Sequence, residues 1–186
     1  SDYRRVLDDR AIDAVVVAAP DHWHRTMALD AVAAGKDVYC EKPVCHTIDE
    51  GDAMVRAIEA STRVVQTGTQ QRSWDHWKLG KEIVDSGRLG QITFVHTYWY
   101  QTANAGAPRP VETSKLDWHA WLGPARDQPF DARRFADWRH FWDFVGGQIT
   151  DLMTHWIDVA HWYMNVASPL TATTTGDNYR IKAWDA

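Results

Sequence analysis

Two groups of residues in this 186-residue chain have types and spacings suited to chemistry. The first is Asp151-x3-His155-x2-Asp158-x3-Trp162. On a helix turning by about 100° per residue, these four side chains share one face. Acid, imidazole, acid and indole do not make a core stripe. A histidine with carboxylates one turn away is expected to have a raised pKa and a fixed tautomer. That would suit a general base working near neutral pH. Gly146 and Gly147 stand just before the helix, where they permit a close backbone approach. Two chemistries could use this face: proton abstraction from a hydroxyl coupled to hydride transfer, or a facial N/O metal site. The metal signal is weak, because no second His-rich segment is aimed at the helix, and no metal ligand is assigned. The bland alternative is a surface helix with solvated acids.

The second group surrounds Lys42, in Glu41-Lys42-Pro43. A lysine is ordinarily a surface residue. Here it follows a short strand, Lys36 to Cys40, and Pro43 stiffens its backbone. At the carboxyl end of a parallel strand it would point into the crevice where ligands bind, and could stabilise an alkoxide.

The elements that must position these groups can be read from periodicity. Asp2 to Arg10 has helical spacing, and Asp13 to Ala19 is an apolar run that reads as a strand buried on both faces. Thr26 to Ala34 is Ala-rich and helical, closed by Gly35. Thr47 and Glu50 form a capping box for a helix running to about Ala60, and Arg63 to Gln66 reads as a third strand. Alternation of this kind implies a parallel, doubly wound α/β sheet. Its three strand ends carry Pro20 to His24, Glu41 to Pro43 and Gly68 to Arg72, which should converge on one crevice. Beyond Trp74 the pattern changes. Trp77 to Val84 is helical, Gln91 to Gln101 alternates like a strand of an antiparallel sheet, and Thr102 to Phe135 is a long loop. A helix is expected from about Thr150 to Met164, and a further strand over Pro169 to Tyr179.

Composition limits the rest. Hydrophobic residues make up 45% and charged residues 24%, a globular profile. No apolar run is long enough to span a bilayer. The net charge is −5 and basic residues do not cluster, which argues against nucleic-acid or anionic-membrane partners. Cys40 and Cys45 alone give no disulfide framework and read as two reduced thiols. Tryptophan is in excess, 11 against 6 Tyr and 5 Phe. The indoles read equally as a bulky core or as a cleft whose walls stack on a sugar or polyol.

Together, Ala18-Ala19-Pro20-Asp21-His22-Trp23-His24, Ala34-Gly35-Lys36-Asp37-Val38-Tyr39-Cys40-Glu41-Lys42-Pro43 and Gly146-Gly147-x3-Asp151-x3-His155-x2-Asp158 resemble the Gfo/Idh/MocA oxidoreductases. These are relatives of glucose–fructose oxidoreductase and inositol dehydrogenase. The resemblance covers essentially the whole chain, and the segment Asp117 to Asp143 is similar to a Trp-rich branch of the family. It implies the C-terminal part of a Rossmann domain over residues 1–70. Over 71–186 it implies the first part of an α+β domain with an open, mainly antiparallel sheet. It also implies hydride transfer between NAD or NADP and a hydroxyl-bearing carbon of a sugar or polyol.

By the same resemblance Lys42 touches nicotinamide and substrate, His155 is the acid/base, and Asp151 orients substrate or His155. Pro20, Asp21, Trp23 and His24 line the cofactor crevice, Glu41 faces the nicotinamide ribose, and Gln70 closes the nicotinamide pocket. Trp142 is a further substrate-binding residue, and Asp158 packs behind His155. No Gly-x-Gly-x-x-Gly is present, so the pyrophosphate site is expected upstream of Ser1 and the chain is expected to be the middle of an enzyme. NAD and NADP are not distinguished. The alternatives are an NAD-dependent glycosidase, disfavoured because that branch lacks the lysine of Glu-Lys-Pro, and a catalytically incomplete sugar-binding fragment. The intact enzyme is expected to be a homo-oligomer. Its default compartment is the cytoplasm, with an upstream export signal left open.

Overall fold

The computed structural model describes residues 2–100, 110–176 and 185. The first part alternates α1 (Arg4–Leu7), β1 (Ala14–Val17), α2 (Asp21–Ala33), β2 (Asp37–Cys40), α3 (Ile48–Glu59) and β3 (Val65–Thr67). The strands form one parallel sheet in the order β1-β2-β3, with Val17 opposite Cys40 and Cys40 opposite Thr67. Parallel neighbours require crossovers, and α2 and α3 supply them. The core beneath is Val17, Ala28, Ala31, Val38, Cys40 and Met54. Its small alanines let α2 lie close on the sheet.

Local chemistry explains the boundaries. Pro20 occupies the N-cap of α2 with φ −58°, the value its ring imposes, so the helix begins at Asp21. Asp21 to His24 are therefore the first turn of a helix, four residues or more ahead of the start that Ala-rich spacing suggests. Gly35, at φ +75°, closes the far end. Buried Lys36 sends its ammonium to the carbonyls of Asp9 and Ile12, each at 2.7 Å, tying the turn before β1 to the start of β2. The capping box of α3 is formed in full by Thr47 and Glu50.

The second part holds α4 (Asp75–Asp85), α5 (Trp118–Leu122), α6 (Ala132–Ala136) and α7 (Thr154–Met164), with a single π-helical turn, Ile149–Met153, leading into α7. Helix α4 docks on α7: the Tyr163 hydroxyl donates to the Trp77 carbonyl at 2.6 Å, and the Trp77 and Trp156 rings lie 5.7 Å apart. Leu122, Phe141 and Phe144 form a second core, wrapped by Trp118, Trp121 and Trp138. Trp118 and Trp121 stack at 5.0 Å and 8°.

Three expectations are corrected. Strand β1 is not buried on both faces: Val16 is 70% exposed among the described residues. Residues 91–100 and 169–176 carry no strand, so the second, antiparallel sheet is not formed among the described residues. Alternation prepares a segment for a sheet, but a strand exists only against a ladder partner, and Phe94, Tyr98 and Tyr100 stand exposed here. The stretch from Thr102 to Phe135 is not wholly loop, since α5 and the start of α6 lie within it. Gln101 to Arg109 and Asp177 to Tyr179, where other expectations fall, lie outside the described residues.

Candidate active site

The strand ends do converge. The Gly68 amide donates to the Cys40 carbonyl at 2.8 Å, and the Glu41 amide to that of Val17 at 2.9 Å. Glu41 lies across Gly68 so closely that a Cβ there would come within 2.7 Å of its carboxylate oxygen. That same carboxylate accepts from the Lys42 amide at 3.2 Å. Glycine at position 68 is thus what lets the exits of β2 and β3 share a wall.

Lys42 reaches across the crevice to the π-helical turn. Its ammonium donates to the Asp151 carboxylate at 2.6 Å and to the Asp151 backbone carbonyl at 2.8 Å. The two residues are 109 positions apart in sequence. A π turn disturbs the i to i−4 ladder, and such turns are frequent at functional sites. Gly147, at φ +79°, and the Thr150 hydroxyl, donating to the Gly147 carbonyl at 3.1 Å, shape the entry to this turn. On the other side of Asp151 stands Arg139, with Nε 3.7 Å from Oδ2 and its guanidinium over the Trp138 ring at 4.2 Å.

His155 follows one turn later and is buried, with Nδ1 lacking a protein partner. Its pKa is lowered, the opposite of the sequence expectation. Burial is the largest cause and the Lys42 charge adds to it, while Asp151, Glu41 and Asp158 oppose more weakly. Lys42 is paired with Asp151, which offsets much of that carboxylate's pull, so desolvation wins. Asp158 is paired with Arg72.

Asp21 is buried in the first turn of α2, with Oδ2 unpartnered. Burial and the charge of Asp151 push its carboxyl up to about 7 against the pull of Arg139 and Lys42. Gln70, in the turn Gln70–Ser73 after β3, has a buried Oε1 without partner. Pro20 is the partly exposed cap above Asp21.

Three further expected residues have these surroundings. Trp23 donates from Nε1 to the Trp121 carbonyl at 2.8 Å and packs on Gly123, which tethers α2 to α5. His24 is 1% exposed, with its ring nitrogens 2.7 Å from the carbonyls of Pro43 and Ala19. Trp142, 54% exposed, lines a separate depression of about 250 Å³ with His22, His46, Glu50, Arg126 and Asp143. His22 in its wall is lowered to about 4 by burial and is neutral. Trp118, Trp121 and Trp138 are partly buried against the second core. Cys40 is a free, buried thiol pushed up to about 12 by burial.

Sequence reasoning missed Arg139 as a member of the site and Arg72 as the partner of Asp158. An arginine's ordinary place is a solvated surface, and no local pattern shows which carboxylate it meets. The one available signal was Arg139 beside Trp138, where a guanidinium can stack.

Comparison with known proteins places this arrangement in a family. Residues 1–69 match the oxidoreductase family's NAD-binding Rossmann fold, and residues 81–178 match the C-terminal alpha/beta domain of the same family. The chain belongs to the Gfo/Idh/MocA oxidoreductases. It is 38% identical over 120 residues to inositol 2-dehydrogenase 2 of Saccharopolyspora erythraea, covering 62% of this chain and 34% of that protein. It is 28% identical over 173 residues to levoglucosan dehydrogenase of Pseudarthrobacter phenanthrenivorans, covering 92% of this chain and 38% of that protein. The solved structure of a levoglucosan dehydrogenase in complex with NADH and levoglucosan aligns with a TM-score of 0.61 at 27% identity, over 88% of this chain and 38% of that one. The chain thus spans between a third and two-fifths of the length of these three relatives.

Proposed function

We propose that this chain carries the catalytic residues of an NAD(P)-dependent dehydrogenase acting on a sugar or cyclic polyol. The observation that supports this most is the Lys42–Asp151 contact with His155 one turn beyond it. The relatives named above are inositol and levoglucosan dehydrogenases, which supports the substrate class.

The crevice fits a nicotinamide cofactor, because Asp21 Oδ2 and Gln70 Oε1 are buried with no hydrogen-bond partner among the described residues. Asp21, Glu41, Lys42 and Gln70 would hold it, with Pro20 at the rim. The bound nicotinamide supplies the hydride acceptor. His155, kept neutral by burial, takes the hydroxyl proton of the substrate. Lys42 donates to the same oxygen and stabilises the negative charge that develops there. Asp151 holds the Lys42 ammonium and orients the substrate's hydroxyls, while Arg139 stands 3.7 Å from its other oxygen.

The test is oxidation of inositols and levoglucosan by the protein with NAD or NADP. Lys42→Met and His155→Ala are each expected to lower kcat by about 10²- to 10⁴-fold with the fold intact by circular dichroism. Retained turnover in either variant would remove that residue from the mechanism.

A further inference from the structure

Helix α7 is docked twice. Its far end is held by α4, through Tyr163 on Trp77 and through Lys81, whose ammonium reaches Asn165 Oδ1 at 3.1 Å. Its middle, one turn after His155, is held by Arg72, which also reaches Trp162 toward the far end. Arg72 Nε lies 2.9 Å from both carboxylate oxygens of Asp158, and its terminal nitrogen lies 2.8 Å from Oδ1. The guanidinium also lies 5.6 Å from the centroid of the Trp162 ring. Asp158 and Trp162 are one turn apart, so they form a fork that fixes the plane of the guanidinium as well as its charge. Fork-like contacts of this kind carry geometric specificity that a lysine cannot supply.

The place of the clamp matters more than its strength. Arg72 belongs to the short turn Gln70–Ser73, two residues from Gln70 with its unpartnered acceptor. Asp158 stands three residues after His155. The pair is 44% and 18% exposed, so it contributes little to global stability. We infer that Arg72 is a positioning residue, which clamps the His155 turn of α7 to the loop lining the nicotinamide pocket so that both keep one relative geometry. This rests on the function proposed above. It assigns Asp158 to Arg72 rather than to the acid/base itself.

The electrostatics give the clamp a distinctive signature. The charged groups facing His155 are Lys42 and Glu41 from the end of β2, Asp151 from the π-helical turn, and Asp158 from its own helix. Arg72 screens the last of these. Arg72→Gln bares the Asp158 carboxylate, so the His155 titration midpoint should rise. Asp158→Asn leaves the guanidinium uncompensated, so the midpoint should fall. Those two shifts report that the pair faces His155; the positioning role itself is read from Arg72→Lys, in which the charge stays and the fork is lost. Arg72→Lys keeps the charge without the fork. Its midpoint should stay near that of the parent, while kcat falls about ten- to a hundredfold with NADH affinity preserved.

The experiment combines NMR titration of the His155 ring with steady-state kinetics on the parent protein and these three variants. Opposite shifts with a kcat-selective loss in Arg72→Lys support the clamp. Midpoints that stay put or move the same way, or full kcat in Arg72→Lys, overturn it. Failure of the parent protein to oxidise any polyol would instead count against the proposed function, while midpoints that stay put in both charge-removing variants would count against the clamp alone.

Discussion

Asp21 shows how residue identity and surroundings pull against each other. A carboxyl raised from 3.8 to about 7 keeps its proton in the folded protein where the unfolded chain has already lost it. Stability therefore falls as pH rises through that window, and the full penalty is present above it. Asp21→Asn should abolish this slope. In thermal unfolding it should gain on the parent at pH 8 by at most about 4 kcal/mol, and gain almost nothing near pH 4. Parallel curves for the two proteins would show that Asp21 is already ionised in the fold. At this scale the sequence is informative where chemistry repeats locally. Asp151 and His155 share a helix face, and Lys42 sits in a three-residue motif. It is uninformative wherever a partner comes from far along the chain. Arg72 meets Asp158 across 86 residues, and the sign of the His155 shift depends on how much water the fold removes.

At the scale of elements, capping and glycine placement are legible in the sequence, and sheet pairing is not. Thr47 accepts from the Glu50 amide, and Glu50 returns a bond to the Thr47 amide. Thr47→Ala should cost about 1 kcal/mol, read from urea unfolding at an unchanged m-value. A loss below a few tenths would mean that α3 is held by packing alone. The π-helical turn has no sequence signal: the period of the apolar pattern does not change there. It is visible only because Lys42 meets both the carboxylate and the backbone carbonyl of Asp151. The stretch after Gln91 carries a strand's alternation without forming the strand, because register and pairing come from the partner.

Across the whole molecule, two packed units meet at several points, and some of these bear on the site. Trp23 joins α2 to α5, Lys42 joins the end of β2 to the turn before α7, and Arg72 joins the exit of β3 to α7. The crevice is therefore bounded by the first unit's strand ends and the second unit's helix, which is where a doubly wound sheet presents its ligands. Among the described residues no helix is long and apolar enough to cross a membrane. The excess of tryptophan, ambiguous in the sequence, resolves by position: a packed second core, with Trp74, Trp99 and Trp142 left substantially exposed. On the reading proposed above, this crevice receives a nicotinamide between Asp21, Gln70 and Lys42. The most direct test is titration of the protein with NADH and NADPH, read as energy transfer from its 11 tryptophans to the reduced ring. The account predicts saturable transfer with at least one of them, weakened by Gln70→Ala. No transfer with either would contradict it.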